Sequence, residues 1–323
     1  MTQSCDVLCV GETLVMVTPN AGGRLNAEST FVLRPGGAES NVASLMAGLG
    51  HSAVWASQLG NDPFGDLIAN SLEEAGVNIE FAKRVQAFRT GVYFKDPQQA
   101  ATTVYYYRLE SAAAQMSATS VEEWSSLRPS VLHLSGITSA LSQSCHRLMR
   151  HLVHDRPFGN ALISFDVNFR PGLWKSEDAA PELLELAQNS DIVFVGRDEA
   201  ESLWGTRTAE SIRAFLYKPR FLIVKDGADE AVCFEGETVT RVASPRVDVV
   251  EPVGAGDAFA AGWLSGWVRG LDAVHQLRLG HFVASQVIQS TTDTAAMPSR
   301  ATINEIIGWD TSQWQSVLTS IER

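Results

Sequence analysis

Cysteine is scarce: Cys5, Cys9, Cys145 and Cys233 are all that 323 residues hold, and their scatter is neither a disulfide framework nor a paired zinc-knuckle spacing. Cys5 and Cys9 fall in one predicted strand, where a separation of about 13 Å at the usual rise prevents a shared bridge or metal. Four buried, reduced thiols are expected. The seven histidines form no HExxH pairing, so no transition-metal site is expected either. Long apolar runs are also missing, since the longest nearly apolar stretch, Ala258 to Val268, is about half of the ~20 residues a membrane span needs. Met1 to Asp6 lack a basic n-region and the apolar run that follows reads as a strand, so the expected setting is cytoplasmic rather than secreted. Positive charge is in short supply. With 25 basic against 37 acidic side chains the formal charge is −12, and such a surface repels nucleic acid and anionic membranes. Any anionic ligand must be held by a local constellation.

Two familiar nucleotide signatures are absent as well. The first strand runs into Gly11-Glu12-Thr13 rather than GxGxxG, and no GxxxxGK[ST] occurs, so neither a dinucleotide-binding Rossmann domain nor a Walker-type loop is supported. What is present is alternation. Short apolar runs at Val7 to Val10, Ala53 to Ala56, Val131 to Leu134, Leu162 to Phe165, Ile192 to Val195 and Phe221 to Val224 suit strands buried on both faces. Between them Glu39 to Leu49, Phe64 to Ala75, Gln143 to Val153, Ala180 to Gln188 and Ala209 to Tyr217 carry helical spacing, with Gly76 placed as a C-cap. The pattern predicts an α/β fold with a mostly parallel sheet. Two segments, about 12–35 and 89–110, alternate as half-exposed antiparallel strands and predict a small sheet acting as a lid. With no repeat and no long linker, the whole of 1–323 reads as one domain.

Four constellations carry chemistry. In Glu251-Pro-Val-Gly-Ala-Gly-Asp257 a glycine turn opens a helix, so the N–H groups of Gly254, Ala255 and Gly256 predict an anion cradle. Asp257 beside it can take the proton of an attacking hydroxyl, or serve only as a helix cap. Arg34-Pro-Gly-Gly-Ala-Glu-Ser-Asn41 also precedes a helix; Gly36 and Gly37 permit close backbone approach, and Asn41 offers a donor and an acceptor to a sugar hydroxyl. Asp166-Val-Asn168-Phe-Arg170 follows a buried strand, where open α/β sheets bind ligands. Tyr105-Tyr106-Tyr107-Arg108 ends a strand with a guanidinium suited to carboxylate or phosphate. Lys225-Asp-Gly227 is a weaker, phosphate-side turn.

Together these residues resemble the PfkB family of carbohydrate kinases. The resemblance spans nearly the whole chain, through Gly36-Gly37-Ala-Glu-Ser-Asn41, Gly60-Asn-Asp62 to Gly65, and Gly254-Ala-Gly-Asp257. It implies a ribokinase-like three-layer αβα sandwich with a β lid. Within the family, Val104 to Arg108 with Asp166 to Arg170 and Leu173-Trp174 most resembles the kinases of 2-keto-3-deoxygluconate, which phosphorylate a sugar acid on its 6-hydroxyl with ATP and Mg²⁺. The resemblance implies Asp257 as base and Gly254, Ala255 and Gly256 as anion hole. It places Gly36, Gly37, Asn41, Tyr93, Tyr106, Arg108 and Arg170 on the substrate side, and Asn168, Arg170, Lys225 and Gly227 toward ATP. A protein of charge −12 needs arginines for a sugar carboxylate in any case.

The chain departs from the family pattern in places. Gly196-Arg-Asp-Glu199 keeps only the Glu of an NxxE motif, leaving Glu199 an indirect magnesium role; Glu251-Pro252 replaces the Asp-Thr tied to a monovalent cation; and Glu230 and Ser285 to Thr294 differ on the adenine side. The alternatives are a neutral-sugar kinase of fructokinase or ribokinase type and a non-catalytic sugar-binding protein. An apolar lid face around Val15 and Val92 predicts a homodimer joined through the lids.

Overall fold

The computed structural model describes residues 2–20, 24–97, 102–290 and 297–319. The chain opens with β1 (Gln3–Val10) and then leaves the main body for β2 (Leu14–Pro19) and β3 (Phe31–Gly36). Helix α1 (Ala38–Gly48) returns it to β4 (Ala53–Gly60), and α2 (Pro63–Glu74) leads to β5 (Ala82–Val85). A second excursion forms β6 (Val92–Pro97) and β7 (Thr102–Tyr107). After the short α3 (Ser120–Glu123) come β8 (Leu127–Ser135), α4 (Gly136–Ala140), α5 (Gln143–Arg150) and β9 (Leu162–Asp166). Then α6 (Ser176–Gln188), β10 (Ile192–Gly196), α7 (Arg197–Trp204), α8 (Ala209–Phe215) and β11 (Phe221–Asp226) follow in turn. The hairpin β12 (Glu230–Glu235) and β13 (Thr238–Ala243) precedes α9 (Ala255–Val268), α10 (Ala273–Ile288), α11 (Arg300–Ile307) and α12 (Thr311–Thr319).

Nine strands form the large sheet in the order β13-β12-β11-β10-β9-β8-β1-β4-β5, and four form the small one, β3-β2-β6-β7. All pairs from β11 to β5 are parallel; only β12 and β13 run against their neighbours. Alternate residues of the parallel strands enter opposite layers. Leu8, Val10, Leu132, Leu134, Val193 and Val195 pack with Leu148 of α5, Leu183 of α6 and Ile212 of α8. Val7, Cys9, Val131, Ile192 and Phe194 pack with Val42 of α1, Ile68 of α2, Trp263 of α9 and Leu279 of α10. Two-sided burial is why the strands read as continuous apolar runs, each buried large side chain adding roughly 1.5–3 kcal/mol. All four cysteines are buried and free.

Helix α9 meets α10 almost backbone to backbone. A Cβ on Gly262 would stand 2.5 Å from the Leu279 carbonyl and 2.8 Å from the Gly280 Cα, so only glycine fits this crossing.

The small sheet occupies the expected segments, with one correction to its faces. Val15 and Val17 are buried with residues of α2, because α2 lies against β2 and β3. On that face Phe31 and Leu33 of β3 and Tyr105 and Tyr107 of β7 stay exposed. On the opposite face Leu14, Met16 and Tyr93 form a cluster of their own. Asp62, from the expected Gly60 to Gly65 motif, caps α2 through the Gly65 N–H at 2.9 Å and also accepts from the Thr90 N–H at 2.9 Å.

Candidate active site

The turn before α9 is built as glycine dictates: Gly254 stands at the helix N-cap with φ of 86°, a left-handed conformation that costs a side-chain-bearing residue free energy. Among the described residues the N–H groups of Gly256 and Asp257 have no acceptor, while that of Ala255 leans toward the Pro252 carbonyl at 3.3 Å. Two open donors at a helix N-terminus favour an anion.

Asp257, in the first turn of α9, is buried. Its Oδ2 accepts from Asn41 Nδ2 at 2.8 Å, and Asn168 Nδ2 stands 3.5 Å from Oδ1. Burial pushes its carboxyl up to about 7; the Asn41 hydrogen bond and the charges of Arg170 and Lys225 pull it down, and the nearby Asp166 pushes it further up. A carboxyl poised near neutrality suits a general base better than a cap does.

Strand ends supply the surrounding charges. Asp166 closes β9 and Lys225 lies near the end of β11, their side chains joined at 2.9 Å. Burial opposes the charge of Lys225, but Asp166, Glu199 and Asp257 hold its ammonium above the usual lysine range. Its Nζ would lie 3.3 Å from a Cβ on Gly256, so the ammonium faces the open turn. Asn168 adopts a left-handed backbone with φ of 41°, and its buried Oδ1 has no donor. Strain of that kind persists where the surroundings over-determine it, often at sites. Glu199 accepts the Phe169 N–H at 3.1 Å and the Gly196 N–H at 2.7 Å. Both of its oxygens therefore anchor backbone, joining the Asn168 loop to the start of α7. Burial raises its pKa. Arg170 is about half exposed and lies 3.9 Å from Glu199.

The small sheet faces this cluster from the other side. A Cβ on Gly36 would strike the Tyr93 hydroxyl, and one on Gly37 would strike the Glu12 carbonyl and stand 2.9 Å from Thr13 Cα. Asn41 is held one turn into α1 by the Gly37 carbonyl, 2.8 Å from its N–H. Tyr93 and Tyr106 are paired across strands with ring centroids 5.7 Å apart, and the Arg108 guanidinium lies 5.6 Å from the Tyr106 ring. Arg108 is not a free fork. Its Nε donates to Glu12 Oε2 at 2.7 Å and an Nη contacts the same oxygen, while Ser111 donates to Oε1.

Of the residues singled out from the sequence, Asp257, Asn41, Asn168, Lys225, Arg170, Glu199 and the Gly254 turn gather at the ends of β9 to β11. Gly36, Gly37, Tyr93, Tyr106 and Arg108 gather on the small sheet. Gly227, with φ of 51°, lies in the turn between β11 and β12. Residues 291–294 of the expected adenine segment lie outside the described residues. The sequence reading missed Glu12, which follows the first strand with no motif around it. It also missed Asp166 as a partner of Lys225, although both stand at or next to the ends of buried strands.

The geometry has counterparts among known proteins. The model of the pfkB family carbohydrate kinases matches residues 5–300. A 2-dehydro-3-deoxygluconokinase of Bacillus subtilis (strain 168) is 34% identical over 306 residues, 91% of this chain and 93% of that protein. The crystal structure of a PfkB protein from Polaromonas sp. JS666 superposes with a TM-score of 0.82 at 30% identity, covering 93% of this chain and 99% of that one. That of a 2-dehydro-3-deoxygluconokinase from Thermotoga maritima shares the fold, with a TM-score of 0.81 at 22% identity over 96% and 99% of the two chains. A mostly parallel sheet with a smaller sheet beside it, and a family match across most of the length, make this chain a member of the PfkB family of carbohydrate kinases.

Proposed function

We propose that this carbohydrate kinase transfers the γ-phosphoryl group of ATP to the 6-hydroxyl of 2-keto-3-deoxygluconate in the cytoplasm. The observation that carries the reading is Asp257, a buried carboxyl held near neutrality and oriented by Asn41 beside a helix N-terminus with open N–H groups. The name borne by the Bacillus subtilis relative supports the choice of sugar acid. In this reading Asp257 accepts the proton as the sugar oxygen bonds to phosphorus, and the bond to the β-phosphate oxygen breaks with its electron pair leaving on ADP. Gly254, Ala255 and Gly256 frame the anion hole, and Lys225 faces it with positive charge. Glu12 orients Arg108 through two of its five N–H groups, leaving three for the sugar carboxylate.

Among the described residues no three His, Cys, Asp or Glu side chains are placed to enclose a metal. Mg²⁺ would enter with the phosphates of ATP and neutralise their charge. The donorless Oδ1 of Asn168 suits a water or ligand donor on that side. Coupled ADP-release assays with 2-keto-3-deoxygluconate, fructose, ribose and adenosine test the reading. Turnover of fructose without turnover of any sugar acid overturns the substrate assignment, and sugar binding without any product overturns the chemistry.

We further propose that two copies pair through their small sheets. Phe31, Leu33, Tyr105 and Tyr107 are exposed and, by the strand register, share one face. A second copy would remove this apolar surface from water. Light scattering at micromolar concentration tests it, a monomeric mass being the contrary result.

A further inference from the structure

Lys95 lies on β6 two residues beyond Tyr93, so both side chains leave the same face of the small sheet. Its side chain is 4% exposed, an expensive place for an ammonium without a partner. One partner comes from the other half of the site. Lys95 Nζ stands 3.2 Å from Oε2 of Glu251, in the irregular stretch that leads to the Gly254 turn. The second oxygen of that carboxylate, Oε1, accepts the Val253 N–H at 3.2 Å. Behind it, the N–H groups of Val250 and Glu251 donate to the Ile288 carbonyl at 2.8 and 3.1 Å, fixing this approach to the end of α10. One carboxylate thus joins an ammonium of the small sheet to the backbone immediately before Gly254.

We propose that Lys95 is a positioning residue for phosphoryl transfer, holding Glu251, and through it the Val253–Gly254 backbone, in the arrangement that binds the transferred group. The inference rests on reading the Gly254 turn as the phosphoryl site. Without the ammonium, the half-buried carboxylate either recruits another cation or swings toward water, and Val253 loses the acceptor that sets the entry to the turn. A displacement of the turn by a fraction of its hydrogen-bond length weakens ATP binding and turnover, while the sugar contacts of Asn41 and Tyr93 stay in place.

The experiment compares MgATP binding by calorimetry, and initial rates with whichever sugar the wild type phosphorylates, for Lys95→Met, Lys95→Ala, Glu251→Gln and the Lys95→Met/Glu251→Gln pair. Each single variant is expected to lower kcat about tenfold or more and to weaken MgATP, with the sugar KM changed less than about twofold. The pair should be no worse than the worse single variant, as for residues acting as one unit. Methylammonium should restore turnover of Lys95→Ala saturably, and tetramethylammonium, too bulky for the vacated space, should not. Glu251→Gln, on the more exposed partner, carries the test if the Lys95 variants fail to fold. Unchanged kcat and MgATP affinity, strictly additive losses, or a lowered melting temperature with normal kinetics would each overturn the proposal. Wild-type protein that binds no MgATP removes the phosphoryl-site reading itself. Wild type that binds it, beside variants that bind it equally, removes only the role of Lys95.

Discussion

Arg108 is held on Glu12: its Nε is 2.7 Å from Oε2 of a carboxylate whose side chain is 1% exposed, and Ser111 occupies the other oxygen. Removing the guanidinium leaves a buried charge without its partner. Arg108→Ala is therefore expected to lose about 3 kcal/mol of stability in urea unfolding as well as to raise the sugar-acid KM by about tenfold or more. An Arg108→Ala enzyme as stable as the wild type would show that Glu12 is satisfied by other means.

Asp257→Asn keeps the hydrogen-bonding shape and loses the ability to take a proton. Turnover should fall by at least about a hundredfold, with ATP and sugar still bound. Wild-type kcat/KM should rise with pH through about 7, where the carboxyl ionises, and fall below it. The stability consequence has the opposite sign. A carboxyl whose folded pKa is raised contributes stability below its unfolded pKa, near 4, and that contribution is lost as pH rises through about 7. Asn at this position escapes the loss, so the variant should gain melting temperature over the wild type at pH 8 and not at pH 4; the same difference at both would refute the raised pKa.

The two glycines flanking Ala255 separate backbone conformation from space. Gly254→Ala places a Cβ at φ of 86°, costing roughly 1–2 kcal/mol of strain that a melt would register. Gly256→Ala has no such strain, but its methyl would lie 3.3 Å from Lys225 Nζ. It should leave the melting temperature near that of the wild type and reduce kcat by moving the ammonium, an effect read from steady-state rates.

Charge on the outer face of the small sheet tests the proposed pairing. Leu33 is 43% exposed and Tyr107 65% exposed, so Leu33→Asp and Tyr107→Asp should cost little in the monomer and shift the light-scattering mass from two copies to one. An unchanged dimer in both variants would place its interface elsewhere.

Six of the seven parallel strands were legible because residues buried on both faces must be apolar in succession, and Ile192 to Val195 could be little else; the seventh, β5, is a half-exposed edge strand with no such run. Helix α5 was read through Val153, yet the regular helix stops at Arg150 and a wider turn carries the chain to Asp155, ending in Arg156 with φ of 47°. Apolar spacing does not register that change of pitch. Strand β13 escapes notice for a related reason: it is mostly exposed, so Thr238 to Ala243 has little apolar signature. At the site, glycine-rich turns announced Gly254 to Asp257 and Gly36 to Asn41. The ion pairs were silent, because Glu12 and Arg108 are 96 positions apart and Lys95 and Glu251 are 156 apart. Each alone is an ordinary charged residue; only the fold supplies its counterpart.

The glycine crossing of α9 and α10 makes Asp257 a fixed datum. Gly262 lies five residues along the helix from that carboxyl, and with carbonyl and Cα atoms of α10 where its side chain would be, α9 has no clearance to slide or roll. A helix free to piston by one residue would move 1.5 Å along its axis, about half the length of the hydrogen bond from Asn41. Alignment at Asp257 is thus set by a tolerance five residues further along the same helix. A Gly262→Ala enzyme would be misregistered at Asp257 even though the substitution touches no ligand.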